Sequence, residues 1–209
     1  MKKRIIFDLD NTLITWKDEY VLKLKEVVDR YKLDVDYKVI DSIIEGFESK
    51  YGKLSREQLA CDINEACNIS IDQKFIQDVF DAQKSLSEID LKLIDLLEYL
   101  SSKYELVVLS NYYSEVQIGR LENAKILKYF KEVIGGDMLD AVKPDANAFF
   151  KAMGPHNVSE CIMIGDSYRC DIEGALNVGM DVIFIDTRLK KPDYEGVKIN
   201  EIYELKEML

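Results

Sequence analysis

The chain of 209 residues is 47% hydrophobic and 32% charged, which suits one large folded domain or a domain carrying an insertion. Its net charge of -11, from 28 basic against 39 acidic side chains, works against loose binding to nucleic acid or to an anionic membrane surface. No run approaches the roughly 20 apolar residues of a membrane span, and the apolar run after Arg4 is too short for a secretory signal, so a cytoplasmic protein is expected.

Residues 4 to 10 read as a short buried strand, with Ile5 to Phe7 running straight into Asp8. Apolar residues then recur at helical spacing in four segments: "YVLKLKEVVDRY", "VIDSIIEGF", "REQLACDINEACNI" and "QKFIQDVFDAQKSL". Four amphipathic helices with no strand between them predict a helical bundle over residues 16–87. From residue 88 the pattern alternates. A helix "LKLIDLLEYLSSKY" precedes a strand "ELVVLS", and a helix near 114–128 precedes "EVIGG". A helix at about 145–153 precedes "CIMIGD", and a helix at 169–178 precedes "DVIFID". Helices alternating with continuously apolar strands predict an α/β fold, a Rossmann-like parallel sheet covered on both faces. The expected division is a core of residues 1–15 and 88–209, interrupted by the bundle. Cys61, Cys67, Cys161 and Cys170 form no C-x-x-C pair, and the single His156 completes no zinc set with them, so reduced thiols are expected.

In open parallel sheets, ligands bind beyond the carboxyl ends of the strands. That rim collects Asp8, Asp10 and Thr12 after the first strand, Ser110 and Asn111 after "LVVLS", Lys143 before Pro144, and Asp166, Ser167 and Asp171 after "CIMIG". Asp8 and Asp10 repel one another, which implies a cation between them or chemistry at one of them. Asp8 and Asp166 offer Mg²⁺ two hard oxygens. With phosphate charge screened, a carboxylate can attack phosphorus in line, while Asp10 protonates the leaving alkoxide and later deprotonates a water. Lys143 and Ser110, with Asn111 beside it, would hold the phosphoryl oxygens. Trp16 and the pair Tyr112–Tyr113 stand where an aromatic ring could stack on a base or sugar, or else pack the hinge of the bundle. His156, in "GPHNVSE", reads as a residue of a solvated turn.

The segments "FDLDNTLI", "LSN", "KPD" and "IGDSYRCDIEGALNVGM" resemble, in order, the four motifs of the haloacid dehalogenase-like (HAD) hydrolase superfamily, over residues 4 to 186. The resemblance implies Asp8 as nucleophile and Asp10 as general acid and base. It implies phosphate binding by Thr12 and Ser110, with Lys143 steadying nucleophile and phosphate. It implies Mg²⁺ held by Asp8, Asp166 and the backbone carbonyl of Asp10, with Asp171 supporting Lys143 or the metal waters. The bundle resembles the helical C1 cap of that superfamily, which closes over the cleft. The expected function is hydrolysis of a small phosphorylated metabolite, a nucleotide or sugar phosphate, by a monomer or weak homodimer. A haloacid dehalogenase has no need of a second acid at the position of Asp10. A phosphoglucomutase-type phosphoryl transferase would keep the same core motifs, and a non-catalytic binding or regulatory module could keep the fold.

Overall fold

Strand β1, Arg4–Phe7, is buried along its whole length because both faces of the sheet around it are covered. The computed structural model describes residues 2–15, 19–50, 54–85, 87–187 and 193–209, without the side chains of residues 19 and 47–50. Trp16 therefore lies outside the described residues. Strands β2 (Glu105–Leu109), β3 (Phe130–Ile134), β4 (Cys161–Gly165), β5 (Asp181–Ile185) and β6 (Lys198–Ile199) join β1 in one sheet of order β3-β2-β1-β4-β5-β6. Every pairing is parallel. The order reverses between β1 and β4, which opens a crevice at their carboxyl ends. The α/β sheet expected from the sequence is present. Strand β6 was not anticipated, since two residues are too few to show a pattern.

Helices α1 (Glu19–Arg30), α2 (Tyr37–Lys50), α3 (Arg56–Cys67) and α4 (Gln73–Lys84) fall where the helical periodicity put them. Ser55 and Asp72 start the last two by accepting a hydrogen bond from the first-turn backbone, at 3.3 Å from Gln58 and 3.0 Å from Phe75. Their apolar faces meet in a cluster that includes Leu24, Val27, Ile40, Ile63, Phe75 and Phe80. That cluster is completed from outside the insertion by Tyr112, Tyr113 and Val116, which surround the start of a later helix.

Helix α5 (Leu91–Ser101) covers one face of the sheet: Leu93, Leu97 and Leu100 pack with Ile5 and Phe7. After α6 (Ser114–Asn123), helix α7 (Ala146–Met153) covers the other face, where Phe149 and Ala152 pack with Ile6. The short helices α8 (Gly174–Asn177) and α9 (Leu205–Met208) complete the two layers. No helix among the described residues is long and apolar enough to cross a membrane.

At the amino end of the sheet His156 is half-buried rather than in open solvent. Its Nε2 lies 2.9 Å from Glu105, which also accepts a hydrogen bond from Arg4 at 2.7 Å and pairs with Lys131. The loop that looked solvated from its Gly-Pro-His composition is drawn in by that carboxylate. All four cysteines are free thiols.

Candidate active site

The chain leaves β1 through Asp8, whose backbone N–H still donates to Ile164 of β4 at 2.9 Å. It then coils. Asn11 adopts a left-handed backbone (φ 59), and the N–H groups of Leu13 and Ile14 both turn back to the carbonyl of Leu9, at 2.9 and 3.1 Å. Asp8 and Asp10 therefore share one side, and the two-residue alternation stops there. Thr12, in step with them on a strand, is carried away instead. It does not line the cavity that Asp8 and Asp10 line, it faces a different one beside Glu88 and Tyr203, and its hydroxyl is buried without a hydrogen-bond partner. This corrects the expectation that Thr12 joins the phosphate-facing cluster.

Lys143 is the hub of the site. Its side chain, 2% exposed, donates to Asp8 at 2.8 Å and to Asp171 at 2.7 Å. Burial alone would lower the pKa of this ammonium, but Asp171 and Asp8 more than offset that and hold it charged, well above its usual range. The loop that carries it is pinned by Asn111, whose side chain accepts from the Lys143 backbone N–H and donates to its carbonyl, both at 2.9 Å. Asn111, expected to bind phosphate, spends its amide on that loop although it borders the cleft. Asp171 is turned inward by one wide π-type turn, Tyr168–Glu173, and also accepts from the backbone of Ser167 at 2.9 Å. Gly165 makes room for it: a Cβ there would stand 2.3 Å from the Asp171 carboxylate.

Ser110 is buried at the end of β2. Its Oγ accepts from the Tyr112 backbone N–H at 3.1 Å and from Gln117 Nε2 at 2.7 Å. Both acceptor sites are then filled, which leaves the hydroxyl proton for a ligand. Gln117 Nε2 also donates to Asp10 at 2.7 Å, and Arg120, wholly buried, pairs with the other oxygen of Asp10. The sequence reading missed Gln117 and Arg120. A signal was present: Tyr113, Val116, Gln117, Arg120 and Leu121 follow the spacing of one helical stripe, and two polar residues interrupt it on the side that must be buried. Tyr112 and Tyr113 pack on Phe80 and on one another, and the Tyr112 hydroxyl exchanges hydrogen bonds with buried Gln83 of α4, at 2.7 and 2.9 Å. They serve the junction with the helical insertion, with Tyr112 also reaching the cleft.

These groups border a cavity of about 310 Å³, roofed from the insertion by Tyr20, Ile44 and Glu45. Asp8, Asp10, Ser110, Asn111, Lys143, Asp166 and Asp171 all line it. Asp8, Asp166 and Asp171 offer oxygens within 4.8 Å of one another. Burial pushes the Asp8 carboxyl up to about 8; Lys143 opposes this, and the nearby Asp171 and Asp10 add to it. One ammonium among these carboxylates leaves surplus negative charge. The donor set, all carboxylate oxygen, is that of a hard divalent cation such as Mg²⁺ and fits it.

A family model described as haloacid dehalogenase-like hydrolase matches residues 5–185. The chain belongs to that family. Among relatives of this HAD hydrolase, the pyrimidine 5′-nucleotidase PynA of Streptococcus pneumoniae is 30% identical over 120 residues, 55% of this chain and 50% of that protein. A phosphoglycolate phosphatase of Pseudomonas fluorescens is 28% identical over 192 residues, covering 88% and 69% of the two chains. The crystal structure of a 2-haloacid dehalogenase from Pseudomonas syringae pv. Tomato aligns with a TM-score of 0.76 at 20% identity, over 99% of this chain and 97% of that one, a likeness of fold. The HAD hydrolase described here thus shares its fold with proteins of different named activities, and its own chemistry must be argued from its side chains.

Proposed function

We propose that this hydrolase is a Mg²⁺-dependent phosphomonoesterase for a small phosphorylated metabolite, a nucleotide or a sugar phosphate, with Asp8 as nucleophile. The observation that carries the reading is Lys143 held against Asp8 in a cavity that Asp10, Ser110 and Asp166 also line. The names of the relatives, a nucleotidase and a phosphatase, support the same class.

A phosphoryl group in the cavity would meet the Ser110 hydroxyl proton and the Lys143 ammonium. Asp8 attacks phosphorus, the bond from phosphorus to the leaving oxygen breaks, and Asp10 gives that oxygen its proton. Asp10, now a carboxylate, takes a proton from a water that attacks the aspartyl-phosphate, which frees phosphate and restores Asp8. Asp171 acts through Lys143, keeping the ammonium charged and in place. Mg²⁺ held by Asp8, Asp166 and the Asp10 backbone carbonyl would neutralise charge on the phosphoryl oxygens. Residues 16–87 would act as the cap, with Tyr20, Ile44 and Glu45 facing the leaving group and excluding water.

The test is hydrolysis of p-nitrophenyl phosphate with Mg²⁺, with a chelator and in Asp8→Asn. Turnover that needs both the metal and Asp8 supports the reading. Wild-type inactivity across divalent metals and a panel of phosphomonoesters, or full activity in Asp8→Asn, would overturn it.

A further inference from the structure

The geometry points to Arg120 and Gln117 as positioning residues that aim the proton of Asp10 at the leaving-group oxygen, an inference that rests on the phosphatase reading above. The Asp10 carboxylate is 30% exposed and stands past the end of β1, where the chain enters the turn at Asn11, so no neighbouring strand residue flanks its side chain. Two side chains of α6 do so. Arg120 takes one carboxylate oxygen and Gln117 Nε2 takes the other at 2.7 Å. Gln117 Oε1 in turn accepts from Arg120 at 3.0 Å, which closes a ring of three residues.

Both holding groups, Gln117 and Arg120, are themselves wholly buried. Their helix is tied at its first residue to the short turn after β3, where Ser114 donates to Asp137 at 2.6 and 2.7 Å. A carboxylate oxygen has two acceptor sites, so each oxygen of Asp10 keeps one for the cleft after α6 has taken the other. Gln117 Nε2 also reaches Ser110, so one amide sets the spacing between the acid and a phosphate-facing hydroxyl. When the bond to the leaving group breaks, its electron pair stays on the leaving oxygen and the Asp10 proton moves there. The carboxylate that results lies against the Arg120 guanidinium, which stabilises it.

Leaving groups read this out. p-Nitrophenolate departs without a proton, whereas an alkoxide needs one. We therefore compare kcat/KM for p-nitrophenyl phosphate and for glycerol 2-phosphate, with Mg²⁺, in wild type, Arg120→Met, Arg120→Lys and Gln117→Leu. Misplacement of the acid is expected to lower the alkyl-to-aryl ratio by at least about tenfold in Arg120→Met and Gln117→Leu, with part of the ratio regained in Arg120→Lys. A role confined to folding would lower both esters together and leave the ratio unchanged in every variant that folds, and that result would overturn the inference alone. Should Arg120→Met not fold, the ratio in Arg120→Lys and Gln117→Leu decides. Wild-type protein inert toward both esters and toward the wider panel of phosphomonoesters across divalent metals would overturn the phosphatase reading and this inference with it.

Discussion

The ammonium of Lys143 lies 2.7 Å from the carboxylate of Asp171, and the two are 2% and 1% exposed. Neither can turn to water if the other is removed. Asp171→Ala should destabilise the protein by about 3–5 kcal/mol, the usual cost of breaking a buried ion pair from one side. It should also slow turnover, since Lys143 loses one of the two carboxylates that aim it. Urea denaturation and the kcat of the purified variant check the two effects, and Asp171→Asn should recover part of the stability by keeping a hydrogen bond to Ser167.

Asp8 shows the opposite balance. Burial beside other carboxylates pushes its carboxyl up to about 8, so its charged form is disfavoured when no divalent cation is present. Asp8→Asn removes the ionisable group and keeps the shape. Its kcat should fall by at least on the order of 10³-fold, while its unfolding midpoint without divalent metal stays level or rises. A clear drop in the midpoint would mean that the carboxylate supports the fold.

Gly165 ends β4 directly under Asp171. In Gly165→Ala the new Cβ would stand 2.3 Å from a carboxylate oxygen of Asp171, a buried side chain that could yield only by leaving Lys143 or Ser167. The expected cost is about 1–3 kcal/mol, with activity falling because Asp171 and Lys143 move together. Thermal unfolding and steady-state kinetics on the same preparation test this.

Far from the cleft, hydrogen bonds from Lys131, His156 and Arg4 hold the Glu105 carboxyl down at about 2. The unfolded chain binds that proton at about pH 4.3, higher than the folded one. Its contribution is therefore complete above that value and is lost as the pH falls toward 2. Glu105→Gln should be less stable than wild type at neutral pH, and the gap should narrow between about pH 5 and pH 2. Denaturation curves of both proteins at several acidic pH values measure it, and a gap independent of pH would refute it.

Glu45 faces the cleft from α2, and Lys143, already engaged by Asp8 and Asp171, is the one cation among the described residues lining it. A leaving group that carries its own negative charge would meet a carboxylate with no local compensation. Glu45→Gln should raise kcat/KM for 2-phosphoglycolate relative to glycerol 2-phosphate by about threefold to tenfold. Equal change for both substrates would remove Glu45 from substrate choice.

The parts of this molecule that the sequence makes legible are those in which burial forces a pattern. Ile5–Phe7, Leu106–Leu109 and Ile162–Ile164 are apolar without interruption because both sheet faces are covered; the first two runs stop at the rim residues Asp8 and Ser110, and the third reaches Asp166 after Gly165. Asp8, Ser110 and Asp166 could be located that way, and the four inserted helices by their periodicity. Thr12 could not, since alternation holds only while the strand lasts, and the chain coils at Asn11. Asn111 stands at the rim as expected, yet which way a side-chain amide turns depends on the Lys143 loop, 32 residues further along the chain. The pairing of Arg120 with Asp10 joins residues 110 positions apart and leaves only a break in an apolar stripe as its trace.

Tyr112, Tyr113 and Val116 close the apolar interior of the inserted helices, and Glu115 between them is gripped by Arg56, Lys84 and Gln77 from the same insertion. Residues 19–84 are consequently not a portable module. A chimera that transplants another relative's roof onto this sheet would have to carry the 112–116 segment along, and that segment opens the helix that grips Asp10. On the proposed mechanism, exchanging the roof would therefore also disturb the grip of α6 on Asp10.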